Sequence, residues 1–186
     1  MRVVFEAFLT EMIHDVPTYI YEMLFYSLFL VAVIAIAFKG WKKGFLITSR
    51  FALIEYVILI YCSTVLFRKT MEIHEHHFTP FWSYAAYDSV NRPDLLPENV
   101  MNIIVFLPLG FLLGAGIQKM KWWAAMLIGS CISLSIESLQ YYFKLGVSEF
   151  DDVMHNSLGC MIGYIIYYLS GFLYKRFSKK RVINLI

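Results

Sequence analysis

Five long apolar runs restrict the folds open to this chain. They cover residues 19–38, 47–67, 100–117, 122–143 and 153–174. Each is close to the roughly 20 residues that a helix needs to cross about 30 Å of hydrocarbon. Because the runs are continuous, without strict alternation of apolar and polar residues, they predict helices rather than barrel strands. We therefore predict an all-α, polytopic membrane protein with about five transmembrane helices, forming one membrane domain over residues 1–186.

The composition excludes a soluble domain. Hydrophobic residues make up 59% of the chain and charged residues only 16%, with a mean hydropathy of +0.61. Soluble domains are about 45–50% apolar and about a quarter charged. The formal charge of +2 is too small to indicate a nucleic-acid partner. Cys62, Cys131 and Cys160 are scattered through apolar runs, which favours small membrane-core residues over disulfides or a metal site.

The basic residues predict an orientation. They cluster after the first, third and fifth runs, at Lys39, Lys42, Lys43, Arg50, Lys119, Lys121, Lys175, Arg176, Lys179, Lys180 and Arg181. The alternate connections, 68–98 and 144–152, carry more acidic residues. The positive-inside rule then places the N-terminus outside and the C-terminus in the cytoplasm. Basic residues follow the first run instead of preceding it, so we predict a retained span rather than a signal peptide. Residues 1–18 could form an amphipathic helix on the outer interface.

Polar residues repeat at helical spacing in the last two runs. They are Ser130, Ser133, Glu137 and Gln140 in the fourth run, and Asp152, Asn156, Gly159 and Gly163 in the fifth. Each set shares one helix face, and a short loop makes the two helices antiparallel. The register predicts that Gln140 meets Asp152, that Glu137 meets Asn156, and that the two serines meet the two glycines. Ionisable residues inside a span are rare and are candidates for function.

The third run is expected to complete this seam. Asn102 lies near its outer end, and Pro108, Gly110 and Gly114 are typical of a kinked, closely packed helix. Gly159 and Gly163 form a small-xxx-small pair that lets another helix approach. We predict one ligand-binding site on the outer side, formed by Asn102, Glu137, Gln140, Asp152 and Asn156.

Three interpretations of the acidic residues remain open. Glu137, Asp151 and Asp152 could act as catalytic acids and bases. A divalent cation could bind at Glu137 and Asp152 and bridge to a lipid phosphate, because Mg²⁺ and Ca²⁺ prefer oxygen ligands. Alternatively, Glu137 is protonated and hydrogen-bonded to Asn156, with the two aspartates capping the fifth helix.

A histidine-rich segment, 74–77, lies in the connection before the third run. His74, His76 and His77 could bind zinc, but the sequence is not HExxH, so a solvated polar loop is the preferred interpretation. No hydrolase, P-loop or dinucleotide motif is present.

An ordered set of motifs in the second half resembles the VanZ-like family. It comprises NVMNIIVFLPLGFLLG at 99–114, ESLQ at 137–140 and EFDDVMHNSLGCMIGY at 149–164. The resemblance covers residues 78–174. Many members carry an arginine between the glutamine and the aspartate pair, where this chain has only Lys144. The resemblance implies a bacterial plasma-membrane protein associated with low-level resistance to teicoplanin, a glycopeptide that attacks the cell wall.

These observations support two functional hypotheses. In the first, the outward-facing site binds, and could modify, an envelope lipid or a lipid-linked cell-wall precursor. In the second, the protein is a non-enzymatic scaffold that binds another membrane protein through its glycine-lined faces.

Overall fold

The computed structural model describes residues 16–72, 75–89, 92 and 94–183, and its elements are almost all helical. In chain order they are α1 (Thr18–Tyr61), a π-helical turn (Cys62–Leu66), β1 (His76–His77), α2 (Trp82–Ser89), α3 (Leu95–Gly116), α4 (Trp122–Phe143), β2 (Ser148–Glu149) and α5 (Phe150–Ile183). The predicted all-α fold is therefore confirmed. The amphipathic segment predicted at the N-terminus falls largely on residues 1–15, outside the described residues, as does His74.

Helix α1 folds back on itself at Gly40. The backbone there has φ 71° and ψ 169°, a region that is essentially open only to glycine. A Cβ built on Gly44 would lie 2.8 Å from the Cα of Ile36. Farther along, the Ser27 hydroxyl donates a hydrogen bond of 2.5 Å to the Glu55 carboxylate. Residues 18–39 and 41–61 are thus two antiparallel helices joined by a tight turn.

Four helices among the described residues are long and apolar enough to cross a membrane. They are Thr18–Leu66, Leu95–Gly116, Trp122–Phe143 and Phe150–Arg176. Because the first folds back at Gly40, these helices provide five apolar segments, in agreement with the five predicted runs. The polytopic architecture is therefore the predicted one, while its orientation in the membrane stays a prediction.

Helices α3 and α5 pack with their backbones in contact. A Cβ built on Gly110 would lie 1.8 Å from the carbonyl oxygen of Cys160. One built on Gly163 would lie 2.0 Å from the carbonyl oxygen of Leu107. Glycine is required at both positions because any side chain would displace the neighbouring backbone. We call this contact the glycine seam.

The glycine seam corrects one sequence prediction. Gly159 and Gly163 were expected to lie against Ser130 and Ser133 of α4. Instead, a Cβ on Gly159 would lie 2.2 Å from the carbonyl oxygen of Ile103, so this face of α5 contacts α3. The α4–α5 interface instead contains hydrogen bonds between serine and asparagine side chains, and Gly129 of α4 lies against Cys160 of α5.

At one end of the bundle, the connection between α1 and α3 folds over the α4–α5 loop. Strands β1 and β2 pair in parallel, with His76 opposite Ser148 and His77 opposite Glu149. The opposite end carries the Gly40 turn and the α3–α4 connection. There Arg50 donates a 2.9 Å hydrogen bond to the carbonyl of Gly116, at the end of α3.

Candidate functional site

A polar cavity of about 370 Å³ opens at the end of the bundle where α3 and α5 begin and α4 ends. Its size falls within the usual range of small-molecule sites. The lining comes from the π-helical turn, α3, α4, α5 and the two connections that fold over them. All five residues predicted to bind a ligand line it: Asn102, Glu137, Gln140, Asp152 and Asn156.

Glu137 holds the α4–α5 loop in place. Its side chain is only 6% exposed, and its Oε2 accepts a 3.0 Å hydrogen bond from the backbone N–H of Glu149. The Ser148 hydroxyl donates to the main-chain carbonyl of Glu137 at 3.1 Å. The bond predicted between Glu137 and Asn156 is not among the hydrogen bonds of the described residues, and that pairing is wrong.

Asn156 pairs instead with Ser133, one turn away along α4. Its Nδ2 donates to the Ser133 hydroxyl at 2.8 Å, and Ser130 and Ser157 pair next at 2.7 Å. Asn156 is 6% exposed, yet its Oδ1 has no hydrogen-bond partner among the described residues. A buried unsatisfied acceptor costs about 1–3 kcal/mol. An acceptor in the wall of a polar cavity is therefore available to a donor group on a ligand.

The predicted pairing of Gln140 with Asp152 is also replaced. Gln140 donates through Nε2 to the carbonyl oxygen of Thr64 at 3.0 Å. That carbonyl lies in the π-helical turn, where widened backbone geometry leaves carbonyls open to side chains. Asp152 accepts a 2.6 Å hydrogen bond from Asn102 Nδ2, which joins α5 to α3 at the cavity wall.

Asp151 has a different environment from Asp152. It is 1% exposed and does not line the cavity. Its carboxylate accepts hydrogen bonds from the backbone N–H groups of Phe81 at 2.6 Å and Ser83 at 2.9 Å. The Ser83 hydroxyl donates to it at 2.6 Å and accepts from Asn99 at 3.0 Å. Phe81 has a φ of 63°, which is unusual for a residue with a side chain, so Asp151 stabilises a strained connection.

The predicted site omitted five charged or amide residues that line the cavity: Arg68, Arg92, Glu98, Asn99 and Glu149. Arg68 immediately follows the second apolar run, and that position at the end of a span is the signal that could have identified it. Arg68, Arg92 and Glu98 are exposed at the rim, whereas Glu137, Gln140, Asn99 and Asn156 are buried at the floor.

Arg68 occupies space beside the α4–α5 loop. A Cβ built on Gly146 would lie 3.1 Å from the Cζ of Arg68. Lys144 does not line the cavity. It ends α4 in the left-handed conformation, with φ 54°, and its carbonyl accepts a 2.7 Å hydrogen bond from the N–H of Met71.

Several groups outside the spanning segments have shifted pKa values at this end of the protein. Burial raises the pKa of Glu149 to about 8, and the neighbouring Asp152 and Glu98 add to the shift. Arg92 forms an exposed ion pair with Asp94 at 2.6 Å. The hydrogen bond in this pair lowers the pKa of Asp94 and raises that of Arg92.

The metal interpretations gain no geometric support. No group of three or more His, Cys, Asp or Glu side chains in the described part of the chain is arranged to hold a metal ion. His77 stacks on Trp82 with ring centroids 3.5 Å apart, and His76 packs edge-on against Tyr141 at 5.4 Å. These two histidines therefore make aromatic contacts at the surface.

The remaining predicted residues lie away from the cavity. Pro108 lies on the outer surface of α3, and the hydroxyl of Tyr56 donates to the nearby Val105 carbonyl at 2.7 Å. Gly114 lies against the ring of Tyr167. Cys62 and Cys160 are buried, but Cys131 is exposed on the surface of the bundle, and all three are free thiols.

Comparison with known proteins identifies the family. The VanZ/LLP1 family model matches residues 23–173, which include the α1 hairpin as well as the cavity. Protein VanZ of Enterococcus faecium is 28% identical over 89 residues, covering 48% of this chain and 53% of that relative. The chain thus matches about half the length of this curated relative. No solved structure matches the chain. Because the family model matches most of the sequence, the protein belongs to the VanZ/LLP1 family.

Proposed function

We propose that the cavity binds the headgroup of an envelope lipid or of a lipid-linked cell-wall precursor. In the orientation predicted from the basic residues, the cavity faces the extracytoplasmic side of the bacterial plasma membrane. Binding there would contribute to teicoplanin resistance, the property that the family resemblance implies.

The observation that supports this proposal is a polar cavity at the end of an apolar bundle. Apolar spans have no need of polar side chains, and burying such side chains in lipid is costly. Here buried side chains of three helices converge on a single cavity, and Asn156 Oδ1 is left available there. Arg68 and Arg92 at the rim supply the guanidinium groups that bind phosphate oxygens well.

A hydrogen-bond network with a purely structural role accounts for Asp151 but not for the residues that line the cavity. All the hydrogen bonds of Asp151 serve the connection between α1 and α3, as such a network requires. The residues around Asp152 instead surround open volume. Glu137 and Asp152 are also the carboxyl groups available to exchange a proton with a bound headgroup, so lipid modification would extend the proposal.

The test is teicoplanin susceptibility of cells that carry single-residue variants. Glu137→Gln and Asp152→Asn keep the size of each side chain and replace its carboxyl group with an amide. We expect both to lose the resistance conferred by the wild-type protein, at equal amounts in the membrane.

The matched control is Glu55→Gln, which alters a buried carboxyl group in α1 that bonds Ser27 and does not line the cavity. It should retain resistance. If Glu137→Gln and Asp152→Asn both keep full resistance, the cavity is not the functional site and the proposal is wrong.

The scaffold hypothesis requires a different surface from the glycine-lined face of α5 that the sequence suggested. Gly159 and Gly163 pack against the backbone of α3 in the same chain. A bulky substitution at either position would therefore disrupt the fold whether or not a partner binds. Resistance that survives every cavity substitution, together with a crosslinked partner on the lipid-facing side, would favour a scaffold.

A further inference from the structure

The ionisable groups of the cavity are unevenly distributed between its rim and its floor. Both guanidinium groups, of Arg68 and Arg92, are exposed at the rim. Four carboxyl side chains line the cavity, and they belong to Glu98, Glu137, Glu149 and Asp152. Arg92 already forms an ion pair with Asp94. The cavity therefore carries more carboxyl than guanidinium groups, with the excess toward the floor.

Each side-chain amide around the cavity already uses an N–H group in a hydrogen bond within the protein. Each of the four lining amides donates a hydrogen bond: Asn99 to Ser83, Asn102 to Asp152, Gln140 to the Thr64 carbonyl and Asn156 to Ser133. By contrast, the Oδ1 acceptor of Asn156 is buried and has no partner among the described residues. The unpaired acceptor and the carboxyl groups at the floor favour a ligand group rich in hydrogen-bond donors.

We infer that the ligand carries a primary ammonium group linked to a phosphate, with the ammonium bound at the floor by Glu137, Asp152 and Asn156 and the phosphate at Arg68. This inference rests on the proposed headgroup-binding function and names the ligand class. An ammonium group has three N–H donors and no acceptor, and its bonds to carboxylates are charge-assisted. A hydroxyl-rich headgroup would also satisfy the acceptors, but it brings no positive charge, so its hydrogen bonds to the carboxyl groups are not charge-assisted.

The experiment measures binding of three phospholipids with identical acyl chains to the purified full-length protein, by native mass spectrometry. Phosphatidylethanolamine has the primary ammonium group. Phosphatidylcholine has the same net charge but no N–H donor, and phosphatidylglycerol has hydroxyl groups instead. We expect the wild-type protein to bind phosphatidylethanolamine at least about tenfold more tightly than either of the others, because charged hydrogen bonds are lost with each.

Two kinds of variant test the separate ends of the site. Asp152→Asn and Glu137→Gln should each remove the preference for phosphatidylethanolamine, whereas Arg68→Gln should weaken all three lipids alike. Glu55→Gln should behave as wild type. Either floor variant alone is sufficient if the other does not fold.

The outcomes separate this inference from the proposed function. If the three lipids bind equally to the wild type and Arg68→Gln weakens them all, the ammonium inference is wrong and headgroup binding stands. If no lipid responds to any cavity substitution, the ammonium inference is wrong, and unchanged teicoplanin resistance of the same variants would show that the proposed function is wrong as well.

Discussion

Helices α3 and α5 face each other along two stretches of opposite character. In the glycine seam their backbones touch, as Gly110 and Cys160 show. At the cavity the same helices are connected by side chains, with Asn102 donating to Asp152 at 2.6 Å. Close packing in one stretch can hold the helices rigidly enough to keep open volume in the other. We therefore expect stability and the proposed ligand binding to depend on different residues of the same helix pair.

The largest effect is expected from Gly110→Ala in the glycine seam. The new methyl group would meet a backbone carbonyl 1.8 Å away, and overpacking of this kind costs about 3 kcal/mol or more. Thermal unfolding of the detergent-solubilised protein measures it. The control is Gly171→Ala, whose Cβ would meet nothing within 4 Å; it should be neutral or slightly stabilising. Equal unfolding midpoints for Gly110→Ala and wild type would show that the seam is not tightly packed.

Two adjacent aspartates test the separation of stability from binding at the cavity end. Asp151→Asn should destabilise the protein by about 2–3 kcal/mol, because it weakens charged hydrogen bonds to Phe81 and Ser83 that are buried. Asp152→Asn should change stability much less and affect ligand binding instead. Unfolding curves and lipid binding of the two variants, measured side by side, provide the test. A reversed pattern would contradict the roles assigned to both residues.

The turn of the α1 hairpin requires glycine for a different reason from the glycine seam. At Gly40 the backbone conformation requires it, whereas at Gly110 the lack of space does. Nothing lies within 4 Å of a Cβ built on Gly40, yet its φ of 71° and ψ of 169° are strained for other residues. Gly40→Ala should cost about 1–2 kcal/mol. Gly40→Asn should cost as much, since asparagine tolerates the left-handed helical region but not this one. Recovery of stability in Gly40→Asn would argue for a different turn geometry.

A further prediction concerns pH. The pKa of Glu149 is raised to about 8 in the folded protein, so the folded state binds a proton that the unfolded state releases near its ordinary pKa of about 4.3. Stability contributed by this group should therefore fall as the pH rises from about 5 to about 8. Glu149→Gln should flatten this dependence, as measured by unfolding midpoints across that range. An unchanged pH profile in the variant would contradict the assigned pKa.

The sequence was sufficient for the apolar segments and for five residues that line the cavity, but not for the pairing of those residues. Helical spacing placed Glu137 and Gln140 on one face and Asp152 and Asn156 on another, and all four line the cavity. The pairing failed because it assumed that α5 contacts α4 through Gly159 and Gly163. In the structure those glycines face α3, which shifts Asn156 to Ser133. Spacing along a chain specifies the face of a helix, but not which neighbour occupies it.

Arg68 could not be placed by periodicity, since the regular helix ends before it. The chain passes through the π-helical turn at Cys62–Leu66 and then leaves the helix. A charged residue just beyond an apolar run can point to water, to lipid headgroups or back over the bundle. Only the contact with Gly146 decides among these directions.

The π-helical turn also has a consequence for how related chains can vary. Such a turn accommodates one more residue than an α-helical turn, so deletion of a single residue from Cys62–Leu66 would rotate the next residues of the chain by about 100°. That rotation would carry Arg68 away from the rim. A chain without the extra residue would need its cation elsewhere, and a longer basic side chain in place of Gly146 would reach the same space from the opposite side. The rim charge is thus a property of the site that either of two segments can supply.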